Sequence, residues 1–274
     1  MRISRRCPSC GHPHSWVVRR DHRKCRKCRK EWPPKTRYPV PGFRSDIRQW
    51  SRIISAFLSE RSVEAVTKEC SLAKDTAWRH VRVIRRVVTE DVPVSFSGTC
   101  EADATFVGGA FSNKHIHIRK RGSKKGRGTR KQAIFGVLCR EMNMVRVLLD
   151  SKEERKVVIP IIKDLVTKGS TVFTDGLVGY RILPRYGYRH EWVDRMAGEY
   201  VRGEVHTQGL VGFWGQLKNR LAMRGGVRKK YLPYFIGEQV WRYNFRNRSR
   251  EKQIERILEI LKQFGGKSKE IPLK

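Results

Sequence analysis

Two closely spaced cysteine pairs constrain how the first part of this chain can fold. Each pair has two residues between its cysteines, and residues 11–24 separate the pairs. Two such knuckles place four thiolates tetrahedrally around one zinc ion. A module this small has little apolar core, so the metal would supply much of its folding free energy. The spacing therefore predicts a zinc ribbon over residues 1–34, with HSWVVRR as a short strand. The predicted ligands are Cys7, Cys10, Cys25 and Cys28.

Three histidines near these knuckles, His12, His14 and His22, are alternative ligands for the metal. Four cysteines already complete a tetrahedral site, so we expect the histidines at the surface. The chain has seven cysteines in all, an odd number. Together with the paired spacing, this number favours metal binding in a reducing compartment over a set of disulfides.

Positive charge runs through the whole chain rather than through one tail. Sixty Lys and Arg residues stand against 26 Asp and Glu residues, which gives 274 residues a formal net charge of +34. A folded core that carries this charge repels itself unless a polyanion neutralises it, so nucleic acid is the expected partner. A ribosome-associated, RNA-binding protein is the alternative that charge alone leaves open.

The sequence predicts neither an export signal nor a membrane-spanning segment. No run approaches the roughly 18 apolar residues that a spanning helix needs. The first ten residues, MRISRRCPSC, lack the apolar core of a secretory signal. We therefore expect a cytoplasmic protein that is associated with the nucleoid through its nucleic-acid partner.

Residues 35–91 are predicted to form a helical domain that begins in a proline-rich linker. Apolar residues recur with helical spacing in DIRQWSRIISAFLSE, and Ser62 is an expected N-cap of the next helix. SLAKDTAWRHV then predicts a turn and a second helix, the pattern of a helix-turn-helix. Lys74, Arg79 and His80 lie near the start of this recognition helix, and we expect Lys74 and Arg79 to contact DNA. An ordinary basic helical hairpin is the alternative.

Residues 92–248 predict a mixed α+β domain. The segments TCEADATFV, AIFGVLCR and MVRVLLD read as three successive antiparallel strands. ERKVVIPIIKDLVTKGS then predicts a helix that tolerates Pro160 near its first turn, and TVFTD and YRHEWV predict two more strands. Three antiparallel strands followed by alternating helix and strand predict a mixed sheet flanked by helices.

Two more basic segments complete the chain. The loop FSNKHIHIRKRGSKKGRGTRK separates the first two strands, and we expect it to contact the DNA backbone. Its expected DNA-contacting residues are Lys120, Arg121, Lys124 and Lys125. Residues 249–274 predict an amphipathic helix followed by a basic tail.

Acidic residues on two predicted strands are the candidate catalytic groups. Side chains alternate across a strand, so Glu101, Asp103 and Thr105 share one face. Asp175 ends the strand TVFTD, where a side chain can project from the edge of the sheet. If these two strands are neighbours, Asp103 and Asp175 can together bind Mg²⁺ or Mn²⁺ for phosphodiester chemistry. An aspartate that merely caps a helix at a strand end is the alternative.

With these motifs, the chain resembles insertion-sequence transposases of the zinc-ribbon group related to Merlin elements. The resemblance is carried by the ribbon, the helix-turn-helix and the segments CEADATFVGG, VFTDGLVGY, HTQGLVGFWGQLKNRL and YNFRNR. It implies a ribonuclease-H-like domain that cleaves and transfers DNA strands with two metal ions. Asp103 then falls on the first catalytic aspartate and Asp175 on the second. The implied partners are terminal inverted repeats, target DNA and a second copy of the chain in a homodimer.

The third acid that this resemblance implies is missing. Relatives typically read HTN-x-x-E-x-F/Y-W, whereas this chain has Gln208 in place of the Asn and Val211 in place of the acid. Lys218 keeps the lysine that relatives have seven residues after the acid. We expect Lys218 and Arg220, at the basic end of the same helix, to contact DNA.

Two interpretations of Val211 follow, because valine cannot bind a metal. In the first, the site is active and borrows a ligand, with His206 and Gln208 as the leading candidates. Glu204 is a further candidate, whereas Glu238 fits better as a structural partner of nearby arginines. In the second, catalysis is impaired and the chain is a domesticated DNA-binding protein derived from a transposase.

Overall fold

The computed structural model describes residues 6–18, 22–32, 39–40, 42–93, 95–108, 116–120, 131–149 and 155–264. The chain forms two compact units, Met1–Ile84 with Arg250–Lys274, and Arg85–Ser249. Within the described ranges, no helix combines the length and apolar character that crossing a membrane requires.

A three-stranded antiparallel sheet begins the first unit. Its strands, β1 (Ser15–Val17), β2 (Arg23–Cys25) and β3 (Glu31–Trp32), pair in sequence order. β1 confirms the strand that was predicted between the two cysteine pairs. Cys25 is the last residue of β2 and lies opposite Ser15, so the second cysteine knuckle begins directly at a strand end.

Three helices follow the ribbon: α1 (Ile47–Leu58), α2 (Val63–Glu69) and α3 (Lys74–Glu90), with the boundary between the units at Ile84. The Ser62 hydroxyl accepts a hydrogen bond from the backbone N–H of Ala65 at 3.1 Å, which confirms the predicted N-cap of α2. Residues 70–73 connect α2 to α3 through a short turn, where the sequence predicts one; the use of this pair as a DNA-reading helix-turn-helix stays a prediction.

His80 faces the core of this helical region. It is 1% exposed, and its Nε2 lies 2.8 Å from the Ser45 hydroxyl while its Nδ1 lies 2.6 Å from the Thr76 carbonyl oxygen. Burial lowers the pKa of this imidazole. His80 therefore stabilises the domain from inside and does not belong to the exposed surface of α3.

The second unit is built on a five-stranded mixed sheet. Its strands are β4 (Thr99–Val107), β5 (Gln132–Cys139), β6 (Met144–Leu149), β7 (Thr171–Asp175) and β8 (Arg189–Val193). Their order is β6-β5-β4-β7-β8. β4, β5 and β6 are antiparallel neighbours, whereas β7 and β8 run parallel to β4. This arrangement confirms the predicted mixed α+β class, and its strand order is that of the ribonuclease-H-like fold.

The basic segment between β4 and β5 was predicted to be a loop, but it contains one helical turn, α4 (Ile116–Arg119). Lys120 follows α4 directly and its N–H donates to the Ile116 carbonyl at 2.9 Å. Arg121, Lys124 and Lys125, which were predicted to contact DNA, lie outside the described residues.

Side chains along each strand alternate between the two faces of the sheet. Apolar residues lie on both faces, and helices cover both of them. On one face, α5 (Arg155–Leu165) packs over a core that includes Cys100. On the other face, α6 (Gln208–Met223) and α7 (Leu232–Asn244) pack over a core that includes Leu138. The acidic residues of β4 face the α6 side.

Pro160 lies in the middle of α5 and not near its first turn, so that part of the prediction is wrong. A proline at this position removes the N–H that would donate to the carbonyl four residues earlier. Val158 and Ile162 are buried against the sheet, and this packing outweighs the missing hydrogen bond.

The last helix, α8 (Arg250–Phe264), belongs to the first unit, where it packs against α1. Ile257 and Leu261 are fully buried, as expected for the amphipathic helix predicted within residues 249–274. The basic tail that was predicted after it lies outside the described residues.

Gly136 of β5 tests the packing of α6 on the sheet. A Cβ at this position would lie 2.7 Å from two ring atoms of Trp214 and 3.2 Å from a methyl carbon of Leu210. We predict that Gly136→Ala lowers the free energy of unfolding by about 1–3 kcal/mol, because a packed core does not accept an added methyl group. Urea denaturation of the purified protein measures this change.

The matched control is Gly212→Ala in α6, where nothing lies within 4 Å of an added Cβ. This exchange should raise the free energy of unfolding by up to about 1 kcal/mol, since alanine is the better helix former. If Gly136→Ala were as stable as the parent protein, α6 would not lie over β5 as described.

Candidate active site and metal sites

The four ribbon cysteines converge on one point. Their Sγ atoms all lie within 4.8 Å of one another, with Cys7 3.5 Å from Cys28 and Cys10 3.5 Å from Cys25. A tetrahedral zinc site with bonds of about 2.3 Å separates its sulfurs by roughly 3.8 Å. The thiols therefore fit a zinc ion. His12 instead packs edge-on against His14, with ring centroids 5.6 Å apart.

In the second unit, the buried carboxylate of Glu101 caps the N-terminus of α6. Its Oε2 accepts a hydrogen bond from the backbone N–H of Leu210 at 2.9 Å, in the first helical turn, where N–H groups have no partner within the helix. Its Oε1 accepts from Nε of Arg140 at 2.8 Å. Glu101 is 1% exposed, so the helix dipole and the guanidinium together offset the burial of its charge.

Arg140 also holds the segment that leads into α6. Its guanidinium donates to the carbonyl oxygens of Glu204 at 2.9 Å and His206 at 3.0 Å, and it lies over the ring of Phe173 at 4.9 Å. Sequence reasoning missed this residue. The strand register contains a signal for it. Arg140 follows β5 directly and lies diagonally across the β4–β5 pair from Glu101, on the same face of the sheet.

Asp103 and Thr105 continue the contact between β4 and α6. Oδ2 of Asp103 accepts from the indole N–H of Trp214 at 3.1 Å, and the Thr105 hydroxyl accepts from Nζ of Lys218 at 2.6 Å. Strand residues two apart advance about 6.6 Å, and helix residues four apart advance about 6.0 Å. Because these repeats match, positions 101, 103 and 105 bond in turn to 210, 214 and 218.

Asp175 lies beside Asp103 in the sheet. β4 and β7 pair in parallel up to Glu101 opposite Phe173, and Asp103 and Asp175 each follow two residues later on their own strands. Paired residues of parallel strands point to the same face, and neighbouring strands lie about 4.8 Å apart. Asp103 is 4% exposed, and Oδ1 of Asp175 is buried. The two carboxyl groups therefore share one side of the sheet.

The electrostatics of Asp103 reflect this neighbour. Burial raises the pKa of the Asp103 carboxyl to about 6; Arg195 acts in the opposite direction, and the Asp175 carboxylate adds to the increase. Two carboxylates that disfavour each other's charge attract a cation between them. This pair therefore fits a hard divalent ion such as Mg²⁺ or Mn²⁺.

Arg195 brings a positive charge to the same place, and sequence reasoning also missed it. Nη1 lies 3.6 Å from Oδ1 of Asp103, and Nη2 donates to the Thr207 hydroxyl at the N-cap of α6. Nothing in the sequence indicates this contact, because Arg195 follows β8 in a short 3-10 helix, Arg195–Ala197, whose position only the fold defines.

Val211, at the position where the resemblance implies a third acid, lies on an exposed part of α6. Val211 is 44% exposed, and nothing lies within 4 Å of a Cβ added at Gly215, one turn further along α6. Throughout the described residues, the four ribbon cysteines are the one group of three or more His, Cys, Asp or Glu side chains whose ligand atoms all lie within 4.8 Å of one another. Asp103 and Asp175 thus have no third ligand of these types at that spacing in the described part of the chain.

Of the candidate replacement ligands, His206 and Glu204 do not form a group with that pair at 4.8 Å. Nδ1 of His206 accepts from Arg140 at 2.8 Å, and Gln208 is the exposed first residue of α6. Their role as metal ligands stays a prediction. Glu204 is exposed.

Glu238 is 1% exposed and pairs with arginines, as the sequence analysis favours. It accepts from Arg85 at 2.8 Å and from Arg242 at 2.9 Å, with Arg224 at 3.8 Å. These cations hold the pKa of the Glu238 carboxyl below its usual range although burial acts to raise it. Glu238 therefore stabilises the α7 layer.

The predicted DNA-contacting residues are distributed over both units. Lys74 and Arg79 are exposed on α3, where the Arg79 guanidinium lies over the Phe43 ring at 5.4 Å. Arg220 donates to Oε1 of Gln239 at 2.8 Å. Lys218 reaches the acidic face of β4 through Thr105. Their contact with DNA stays a prediction.

Comparison with known protein families gives a match over the second unit. A model of the ISXO2-like transposase domain matches residues 95–244. An uncharacterised protein in the transposable element ISH50 of Halobacterium salinarum is 25% identical over 244 residues, which cover 86% of this chain and 82% of that protein. An uncharacterised transposase-like protein of Haemophilus influenzae is 26% identical over 106 residues, 39% of this chain and 80% of that protein.

Two solved structures are similar to this chain at a low level. The catalytic core of HTLV-2 integrase in complex with magnesium gives a TM-score of 0.33 at 10% identity, and covers 54% of this chain and 86% of its own. A pre-cleavage Mos1 transpososome gives 0.30 at 9% identity, over 83% of this chain and 80% of its own. These scores are low, so the fold assignment rests on the strand order of the sheet.

The ribbon generates a direct test for zinc. We predict that the purified protein contains zinc in a one-to-one ratio and that Cys25→Ser loses it, because a hydroxyl is a poor substitute for a thiolate ligand. Elemental analysis of the protein after gel filtration measures the ratio.

Cys70→Ala is the control for this exchange, since Cys70 is a buried cysteine in the helical region and not one of the four clustered thiols. It should keep its zinc. Equal zinc content in Cys25→Ser and the parent protein would refute the ribbon assignment.

Proposed function

The chain belongs to the ISXO2-like transposase domain family, and we propose that it binds the ends of a mobile DNA element and catalyses metal-dependent cleavage and transfer of DNA strands. The observation that carries this proposal is a pair of neighbouring aspartates, of which Asp103 is buried and Asp175 is partly buried. Asp103 and Asp175 lie on neighbouring parallel strands, on one face of the sheet, and act on each other electrostatically. Two carboxylates held in this way form a site for a divalent cation in a protein of opposite overall charge.

In this proposal, Asp103 and Asp175 hold Mg²⁺ or Mn²⁺. A divalent ion there would activate an attacking water or 3′-hydroxyl and stabilise the leaving oxygen. Trp214 and Lys218 set the position of β4 relative to α6 by bonding to Asp103 and Thr105. The Lys218 ammonium group also lies close enough to Asp103 to act on it electrostatically, and we place it against the DNA backbone beside the reacting phosphate.

DNA-end recognition in this proposal belongs to the first unit. The zinc ribbon and the α2–α3 pair present basic side chains, of which Lys74 and Arg79 are exposed on α3. A recognition helix reads base edges with residues near its start. We propose domains over 1–34, 35–91 and 92–248, a DNA-bound homodimer, and action at the bacterial or archaeal nucleoid. Many phosphate contacts would make binding fall steeply with salt.

A second candidate function follows from Val211. This position is exposed and apolar where the resemblance implies an acid, and the described residues provide no third His, Cys, Asp or Glu that groups with the two aspartates within 4.8 Å. A protein that binds element ends and cannot cut them would have this site. The two candidates make the same prediction for DNA binding and opposite predictions for cleavage.

We predict that Asp103→Asn and Asp175→Asn each reduce Mg²⁺- or Mn²⁺-dependent nicking at least about a hundredfold, since even residues that only orient metal ligands contribute 10- to 100-fold. The substrate is a plasmid that carries the DNA flanking the gene. Gel electrophoresis measures nicking, and mobility shift measures binding, which the two exchanges should leave intact.

Asp164→Asn, at an exposed position of α5, is the matched control and should cut like the parent protein. Parent-like nicking by both site variants would remove the proposed active site. Binding without nicking by the parent protein itself would favour the second candidate function.

A further inference from the structure

One guanidinium lies within the candidate active site. Nη1 of Arg195 is 3.6 Å from Oδ1 of Asp103, and Nη2 donates to the hydroxyl of Thr207. Asp103 and Thr207 are almost completely buried, at 4% and 1% exposure, whereas the Arg195 side chain is 32% exposed. The guanidinium therefore sits between a buried acid and the solvent from which a phosphate would approach.

The chain around Arg195 is held in place. β8 pairs with β7 up to Val193, which lies opposite Asp175. Arg195 follows Val193 by two residues. The Asp194 carboxylate accepts from the backbone N–H groups of Met196 and Ala197 at 2.9 and 3.2 Å, which caps the short helix. These contacts hold the backbone of Arg195 beside the aspartate pair.

The Thr207 hydroxyl bonds to Arg195 and does not cap its own helix. Thr207 is the N-cap residue of α6, yet its side chain makes no capping hydrogen bond to the helix. Glu101 caps the helix instead, through Leu210, and this leaves the Thr207 hydroxyl to accept from Arg195. The N-terminus of α6 is therefore arranged so that it holds a cation beside Asp103.

The charges of the site explain what this cation does. A site with three carboxylates and two divalent ions has the same net charge as a site with two carboxylates, one divalent ion and one guanidinium. This chain has Asp103 and Asp175, the neutral Val211 at the third position, and Arg195. A second divalent ion would add charge that no further carboxylate offsets, and it would be repelled by Arg195.

We propose that Arg195 takes the place of the second divalent ion, so that the site binds one Mg²⁺ or Mn²⁺ together with one guanidinium. This inference rests on the proposed function and specifies its site. The 3.6 Å separation from Asp103 exceeds hydrogen-bond distance, so the guanidinium keeps N–H donors for a phosphate. Its planar fork matches two non-bridging oxygens of a phosphodiester. The neutral Val211 and the cationic Arg195 then balance each other in the net charge of the site.

Counting bound Mn²⁺ tests this proposal independently of catalysis. Titration of the zinc-loaded protein, followed by electron paramagnetic resonance of free Mn²⁺, should show one ion per chain that disappears in Asp103→Asn. Arg195→Gln should bind that ion about tenfold more tightly, because a competing positive charge is removed. The double variant Arg195→Gln with Val211→Glu should bind two ions.

Arg189→Gln is the matched control, since Arg189 is an exposed arginine at the opposite end of β8. It should keep the Mn²⁺ affinity and stoichiometry of the parent protein. Two ions bound by the parent protein, or equal affinity in Arg195→Gln and Arg189→Gln, would overturn the role of Arg195 while the aspartate pair stands. Binding of no ion that depends on Asp103 would overturn both this inference and the proposed function.

Discussion

The stability of the second unit depends on the hydrogen bonds and ion pairs of two carboxylates that are buried on one face of β4. Glu101 and Asp103 are almost inaccessible to solvent, and an unpaired buried charge would destabilise the fold by several kcal/mol. Glu101 is fully engaged by Arg140 and the N-terminus of α6. These bonds, with those of Asp103 and Thr105 to the same helix, fix α6 along β4 because the strand and helix repeats nearly match.

This division of roles between the two acids defines the site. Glu101 is a structural cap. Asp103 instead accepts one indole N–H and has a guanidinium 3.6 Å away, and burial, with a contribution from Asp175, raises its pKa to about 6. A carboxyl group in this state gains most from a cation shared with its neighbour. The packing of α6 thus leaves one of the two buried acids available for metal chemistry.

Much of this site follows from the sequence, because strand alternation places Glu101, Asp103 and Thr105 on one face and three antiparallel strands followed by alternating helix and strand predict the mixed sheet. The roles of Arg140 and Arg195 do not follow from it. Arg195 reaches Asp103 only through a connection that no local pattern specifies. Pro160 was misplaced for a related reason, since tertiary packing carries α5 through a residue that ends most helices.

The proposed site requires that Asp103 and Asp175 share one electrostatic environment. Carboxyl ¹³C NMR titration of Asp103, in zinc-loaded protein without other divalent ions, tests it most directly. The parent protein should show a pKa near 6 for Asp103, and Asp175→Asn should lower it, because the neighbouring negative charge is gone. An Asp103 pKa that does not change in Asp175→Asn would contradict the shared site.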